Sequence, residues 1–215
     1  MKRFLSLILA FVFVISVCVS APITITVSAI SVDNLTFELN EDGESYSIID
    51  CDEAVSGELI IPSIYNGLPV TSIGRGAFGE CVSLENITIP DSVLSLGDWA
   101  FSNCSSLISI NIPDSLMIVG KSAFKFCSAL TRVEITSLTT WCDLEFPDIY
   151  ASPLTYARNL YLNGELVSDL VIPKGITSIN NYAFYNCISI TNVTIPISVK
   201  IIGINAFGYC GALTI

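Results

Sequence analysis

Histidine is missing altogether from the 215 residues of this chain. Without it there is no Ser-His-Asp or Cys-His nucleophile pair and no His-containing zinc site, which removes much of hydrolytic and metal-dependent enzymology. Basic residues are also few, 9 against 20 acidic ones, for a net charge of -11. So acidic a chain does not neutralise the phosphates of a nucleic acid or an anionic membrane face, and neither is an expected partner. Charged residues make up only 13% of the chain while 52% are hydrophobic, which excludes disorder and supplies a sizeable core. No Gly-rich phosphate loop, nucleophile elbow or C-x-x-C pair is present. The expectation is a non-catalytic protein with no cofactor, metal or small-molecule substrate.

What is present begins with a targeting segment. Lys2 and Arg3 precede an apolar run from Phe4 to Val19 that is short for a membrane span and reads as a secretory signal. Cleavage after Ala21 competes with cleavage after Ala29, and Pro22 favours the second, placing the mature start near Ile30. A lipoprotein signal through Cys18 is the lesser alternative, because Val17 stands where that signal wants a small residue. Any membrane association is expected only through this segment or an anchor outside the chain.

The rest repeats itself. Ala-Phe-x-x-Cys recurs at Ala77, Ala100, Ala123, Ala183 and Ala206, in steps of 23, 23, 60 and 23 residues. Ile-Pro keeps the same register at Ile89, Ile112, Ile172 and Ile195, with Ile135-Thr136 in step but without the proline, while Ile61 stands further back because the first coil carries a short insertion, "YNGLP" at Tyr65 to Pro69. In the unit from Leu107 to Cys127, the L-x-x-I-x-I spacing of Leu107, Ile110 and Ile112 turns alternate side chains inward on a short strand that Pro113 ends. Leu116 and Val119 then return to the core, Gly120 turns the chain, Ala123-Phe124 fill the far wall, and Cys127 and Leu130 close the circuit. One unit cannot bury its own apolar face, so the pattern requires a stack of coils with strands about 4.8 Å apart. The fold expected is a mainly-β repeat solenoid.

These residues resemble the BspA-type leucine-rich repeat family of surface proteins and adhesins, over about Gly57 to Ile215. The stretch "LNEDGESYSIIDCDEAVSGELIIPSIYNGLPVTSIG" is similar to the segment that commonly precedes the coils in that family. The resemblance implies a right-handed coil of about 23 residues, with a parallel β-sheet on the concave face and short strands, turns or 3-10 segments on the convex one. Residues 1–29 are then the signal, 30–56 a β-hairpin cap and 57–215 the solenoid, with an irregular coil and insert over 133–169. Departures are Thr136 for proline, Ile190 for leucine, and that insert. The chain stops at Ile215 inside what reads as another strand, so a fragment of a longer protein is expected.

Other readings of the same residues are weaker. "ELNEDG" at Glu38 to Gly43 opens like a calcium loop, but the closing position holds Ile49, and alternation of Leu35, Phe37 and Leu39, then Tyr46 and Ile48, reads as a hairpin. The acidic "DCDE" from Asp50 to Glu53 reads as a solvated turn rather than a carboxylate pair. Eight cysteines fall to seven once Cys18 leaves with the signal. Five of them share the repeat and are expected as a ladder of buried thiols, because parallel Cβ vectors hold them beyond the usual disulfide separation of about 3.8 Å. Cys51 and Cys142 lie outside the ladder and are open to pairing. Asn34, Asn86, Asn103 and Asn192 begin N-glycosylation patterns, which chance alone produces in repeats with Ser, Thr and Asn outside.

Binding is expected on the outward positions of the front strands: Asn86 and Thr88, Ser109 and Asn111, Arg132 and Glu134, Asp169 and Val171, Asn192 and Thr194. The alternative site is the insert, with Trp141, Phe146, Tyr150 and Tyr156, although those rings equally serve to plug the interrupted stack. The resemblance implies a secreted or cell-surface module that adheres to host or neighbouring-cell proteins, with an extracellular protein or glycan as ligand. The alternative is a structural spacer presenting a domain beyond residue 215.

Overall fold

The computed structural model describes residues 32–213. The expected signal over 1–29 lies outside the described residues. In chain order the strands are β1 (Leu35–Leu39), β2 (Tyr46–Cys51), β3 (Ser56–Ile60), β4 (Ile64–Tyr65), β5 (Leu68–Ile73), β6 (Ser83–Thr88), β7 (Ser95–Leu96), β8 (Ser109–Asn111), β9 (Ile118–Val119) and β10 (Arg132–Ile135). Two short helices follow, α1 (Leu138–Asp143) and α2 (Leu154–Ala157), then β11 (Leu160–Leu162), β12 (Glu165–Leu166), β13 (Asp169–Val171), β14 (Ser178–Ile179), β15 (Asn192–Thr194) and β16 (Ile201–Ile202). The chain winds as a mainly-β solenoid of about 7 turns.

Each regular coil contributes one strand to a front sheet and one to a back sheet. The front sheet runs β12-β11-β10-β8-β6-β3, the back sheet β1-β2-β5-β7-β9. From β3 to β11 the front strands are parallel, with one register shift between Gly57 and Glu58, and from β6 onward they stay in register, Asn86 beside Ser109 and Ser109 beside Arg132. Between the sheets, Leu107, Ile110, Ile112, Leu116, Val119, Ala123, Phe124, Cys127 and Leu130 are all buried. The phenylalanines stack across coils, Phe78 on Phe101 at 5.1 Å and Phe101 on Phe124 at 5.5 Å between ring centroids. At the N-terminal end β1 and β2 form an antiparallel hairpin whose β2 edge pairs with β5. The "YNGLP" insertion is the β4–β5 hairpin, turned at Asn66 and Gly67, both at positive φ.

A third ladder runs along the Ala-Phe-x-x-Cys edge, and two residues per coil take the left-handed conformation to build it. Trp99, Ser122, Tyr182 and Asn205 precede the alanine at φ of 51 to 58°, and Asn103, Phe126, Asn186 and Tyr209 precede the cysteine at 58 to 65°. That geometry costs a non-glycine residue about 1 kcal/mol. In return the N–H turns toward the next coil: Trp99 N donates to Lys121 O at 2.9 Å and Asn103 N to Lys125 O at 2.7 Å.

Gly97, Gly120 and Gly203 mark the tightest coil-to-coil approach. A Cβ at Gly120 would stand 2.3 Å from Asp98 N and 2.4 Å from Gly97 C. Because main chain cannot yield there, Gly120→Ala is expected to lose roughly 3 kcal/mol, the upper range for overpacking. Gly211→Ala, where nothing lies within 4 Å, is expected to be near neutral in the same urea titration.

The regular stack is interrupted once. After β10 the back position is taken by α1, capped by Ser137, whose Oγ accepts from Thr140 N at 3.3 Å. Trp141 and Phe146 are buried there, and Trp141 Nε1 donates to Ala183 O at 2.8 Å. These two rings plug the core and are not surface, which corrects their candidacy as a contact site. The front sheet breaks at the same place: β11 turns back through Asn163 and Gly164 into the antiparallel β12, and β13 pairs only with β15. In the last coil Ile195 and Ile202 are 41% and 52% exposed, where their counterparts Ile112 and Val119 are buried.

Candidate functional site

The outward row expected from the alternation is therefore two rows. Asn86, Ser109, Asn111, Arg132 and Glu134 share the continuous front sheet with the exposed Thr88, while Asp169, Val171, Asn192 and Thr194 stand on the separate β13–β15 pair. Several of these side chains are already engaged with each other. Ser109 Oγ donates to Asn86 Oδ1 at 2.7 Å, and Asn192 Nδ2 donates to Asp169 Oδ1 at 2.6 Å. Asn111 braces the neighbouring coil: its Nδ2 donates to Ile89 O and its Oδ1 accepts from Ile89 N, both at 2.7 Å. Ile89 precedes a proline, where the strand ladder ends, so Asn111 has a structural duty rather than a free contact surface.

The break gathers what the row lacks. Arg132 Nη2 meets Glu134 Oε2 at 2.5 Å, and the guanidinium lies 3.6 Å from the Tyr161 ring centroid. Glu134 Oε1 accepts from Gly164 N at 2.6 Å, so the β11–β12 turn pins the pair from the side. Arg132 and Glu134 side chains remain 37% and 25% exposed, a fixed pair of charges on an aromatic base. Beside them opens a cavity of about 320 Å³ lined by Leu138, Leu162, Leu166, Val167 and Val171 together with Glu165, Ser168 and Asp169. Sequence reading missed Tyr161 and the leucines of this cavity. The signal was Asn163-Gly164 between alternating residues, a hairpin dipeptide.

The cysteines are structural throughout. All seven in the described residues are free and buried. Cys104 Sγ donates to Phe78 O at 3.0 Å, Cys127 to Phe101 O at 3.1 Å and Cys210 to Phe184 O at 3.0 Å, one coil back each time. Burial pushes Cys127 and Cys142 up to about 12 and Cys210 up to about 11, and also raises Cys104 and Cys187. Cys51 is raised by its hydrogen bond with Cys81, then by burial. Cys142 lies instead in α1, its carbonyl accepting from Asn180 N at 3.2 Å, so the structure does not bring Cys51 and Cys142 together. Among the described residues no group of three or more acidic or Cys side chains is arranged to hold a metal.

The coil geometry has counterparts among known proteins. The family model of the BspA type leucine rich repeat region, in six copies, matches residues 58–156 and 155–215. The chain belongs to the BspA-type leucine-rich repeat family. BspA-type repeats form protein-interaction modules, commonly at the cell surface and typically non-catalytic. Among solved structures the chain is similar to the T. pallidum leucine-rich repeat protein, at 22% identity and a TM-score of 0.57, covering 86% of this chain and 91% of that one. It is also similar to a leucine-rich repeat protein from Bacteroides ovatus, at 27% identity and a TM-score of 0.56, covering 85% of this chain and 45% of that one. The chain thus spans less than half of the Bacteroides protein. No curated protein matches it. Among the described residues of this BspA-type chain, no helix is long and apolar enough to cross a membrane.

Proposed function

We propose that the protein is a secreted or cell-surface adhesion module that captures an extracellular protein on its front sheet, without chemistry. The observation that carries this reading is the break in that sheet: a pinned Arg132–Glu134 pair on Tyr161 beside an open cavity whose largely apolar lining includes Glu165 and Asp169. Elsewhere the row is small, polar and internally bonded, whereas here a partner finds fixed charge, an aromatic face and a place for an aliphatic side chain. Glu165 and Asp169 suit a basic residue next to that aliphatic one.

The test is binding of the purified protein to immobilised matrix proteins at low and physiological salt, with two variants. Val171→Asp alters the cavity wall at a position 59% exposed, and the Arg132→Glu/Glu134→Arg reversal inverts the pair. Each is expected to weaken saturable binding by about tenfold or more, as for a hot-spot residue. Binding that survives both variants removes the front sheet from the function. No binding at all, from protein with an unchanged melting curve, favours the spacer.

A further inference from the structure

The back sheet ends at β9, which pairs with β7 on one side and with no strand on the other. The next coil explains why. In the regular coils two N–H groups carry the ladder onward: Leu94 N donates to Thr71 O and Met117 N to Leu94 O, while Gly97 N donates to Ile73 O and Gly120 N to Leu96 O. The acceptors that continue those two series are Met117 O and Val119 O. Phe124 N donates to Tyr150 O as Phe101 N does to Ala123 O, so Tyr150 holds the place of Ala123. Three residues earlier, Pro147 then holds the place of Gly120, and proline has no N–H to give. Leu144, in the place of Met117, donates its N–H to Trp141 O at 3.3 Å and closes α1. Among the described residues nothing donates to Met117 O or Val119 O.

A trough follows this open edge along the back of the solenoid. One cavity of about 270 Å³ lies between Met117, Ile118 and Val119 of the edge and Glu145 and Pro147 opposite, and a second of about 220 Å³ adjoins it at Met117 and reaches Asp143. Met117 is 72% exposed and Ile118 62%, and neither of the exposed Asp143 and Glu145 carboxylates has an ion pair or hydrogen bond among the described residues. The trough therefore offers acceptors, two strand-edge carbonyls and two carboxylates, between aliphatic walls. We propose that it binds an arginine side chain presented by an extended segment of an extracellular protein. An arginine stem lies along apolar surface such as Met117, Ile118 and Pro147. Its head carries five donors, no acceptor and a permanent charge, and its planar fork reaches carbonyl and carboxylate together where a lysine ammonium is a point charge. The chain's net charge of -11 draws a basic segment toward it. This site is on the back sheet and stands apart from the front-sheet reading.

The experiment is an NMR titration of the purified protein, isotope-labelled at its methionine and isoleucine methyl groups. The probes are the peptide acetyl-Ser-Val-Arg-Val-Ser-amide and the same peptide with neutral citrulline in place of arginine. Saturable shifts of the Met117 and Ile118 methyls are expected with the arginine peptide, weakening as salt is raised, and the citrulline peptide should bind about tenfold or more weakly. Asp143→Asn/Glu145→Gln, at exposed positions, should weaken the arginine peptide by about tenfold with an unchanged melting curve. Pro147→Ala, which gives Val119 O an N–H partner, should weaken it too, with the melting temperature level or higher. Val171→Asp and the Arg132/Glu134 reversal should leave it intact, so failure here and failure of the front-sheet reading are separate results. Undiminished binding in the acid variant or in Pro147→Ala overturns the proposal, as does equal affinity for the citrulline peptide. No shift at Met117 and Ile118 overturns it as well. So does spermidine binding as tightly as the arginine peptide, which would make the trough a site for free polyamines.

Discussion

Phe101→Ala is expected to destabilise the protein by about 3–5 kcal/mol, the usual range for emptying a fully buried aromatic position. Phe101 is 0% exposed and stacked on both faces, at 5.1 Å from Phe78 and 5.5 Å from Phe124. Neighbouring coils cannot collapse into the gap, because Phe101 N is bonded to Ala123 O and Phe78 N to Ala100 O, each at 2.8 Å. In a solenoid each coil touches only its neighbours, so the damage is to two interfaces and not to a shared core. Urea unfolding should therefore shift to a lower midpoint and also lose cooperativity, as the coils before and after Phe101 begin to melt apart. The comparison is Phe207→Ala, whose ring is partly buried and stacks on Phe184 at 5.2 Å, for which a smaller loss is expected. Equal losses at the two positions would contradict the nearest-neighbour account.

Alkali is expected to act on several coils at once. Cys127 and Cys142 are pushed from 9.0 to about 12 and Cys210 from 9.0 to about 11, burial being the first cause in each. A thiol whose folded value lies above its unfolded one keeps its proton in the fold, so its stabilising share is complete below about pH 9. That share is lost as the pH climbs from there toward the folded value. The slope is about 1.4 kcal/mol per thiol per pH unit. Cys104 and Cys187 are raised as well, and several buried thiols acting together exceed any single substitution considered above. The melting temperature should be level up to about pH 9 and then fall steeply, with thiolate absorbance appearing at the same pH as unfolding. Thiolate absorbance that develops while the protein stays folded would show the ladder to be open to solvent. A Cys127→Ala variant should be less stable at neutral pH yet show a shallower alkaline limb.

Much of the coil was legible because its period is short and its chemistry monotonous. Leu107, Ile110, Ile112 and the Ala123-Phe124 pair each repeat at one spacing, and burial follows that spacing closely. The left-handed positions were not legible. They are filled by Trp99, Phe126, Tyr182 and Tyr209, which carry no turn signal, as readily as by Asn103, Asn186 and Asn205, and are held by coil-to-coil hydrogen bonds that a single unit does not display. The duty of Asn111 was hidden for the same reason, since its partner Ile89 belongs to the preceding coil. In the insert, aromatic composition alone could not separate the buried Trp141 and Phe146 from the tyrosines at the edge. What separates them is the carbonyl of Ala183, which gives Trp141 Nε1 a partner inside the stack.

The interruption of both sheets at one coil also has a mechanical meaning. Elsewhere adjacent coils are laced by parallel ladders on the front, the back and the Ala-Phe edge. Across the break, the front strand β13 has no ladder partner on the β11 side, and α1 stands in for a back strand. Asn180 N to Cys142 O, Ile188 N to Arg158 O, and the side chains of Trp141, Asn180 and Asn186 form the seam. Pulled from its two ends, the solenoid should yield first at this seam, opening like a hinge while the blocks on either side stay wound.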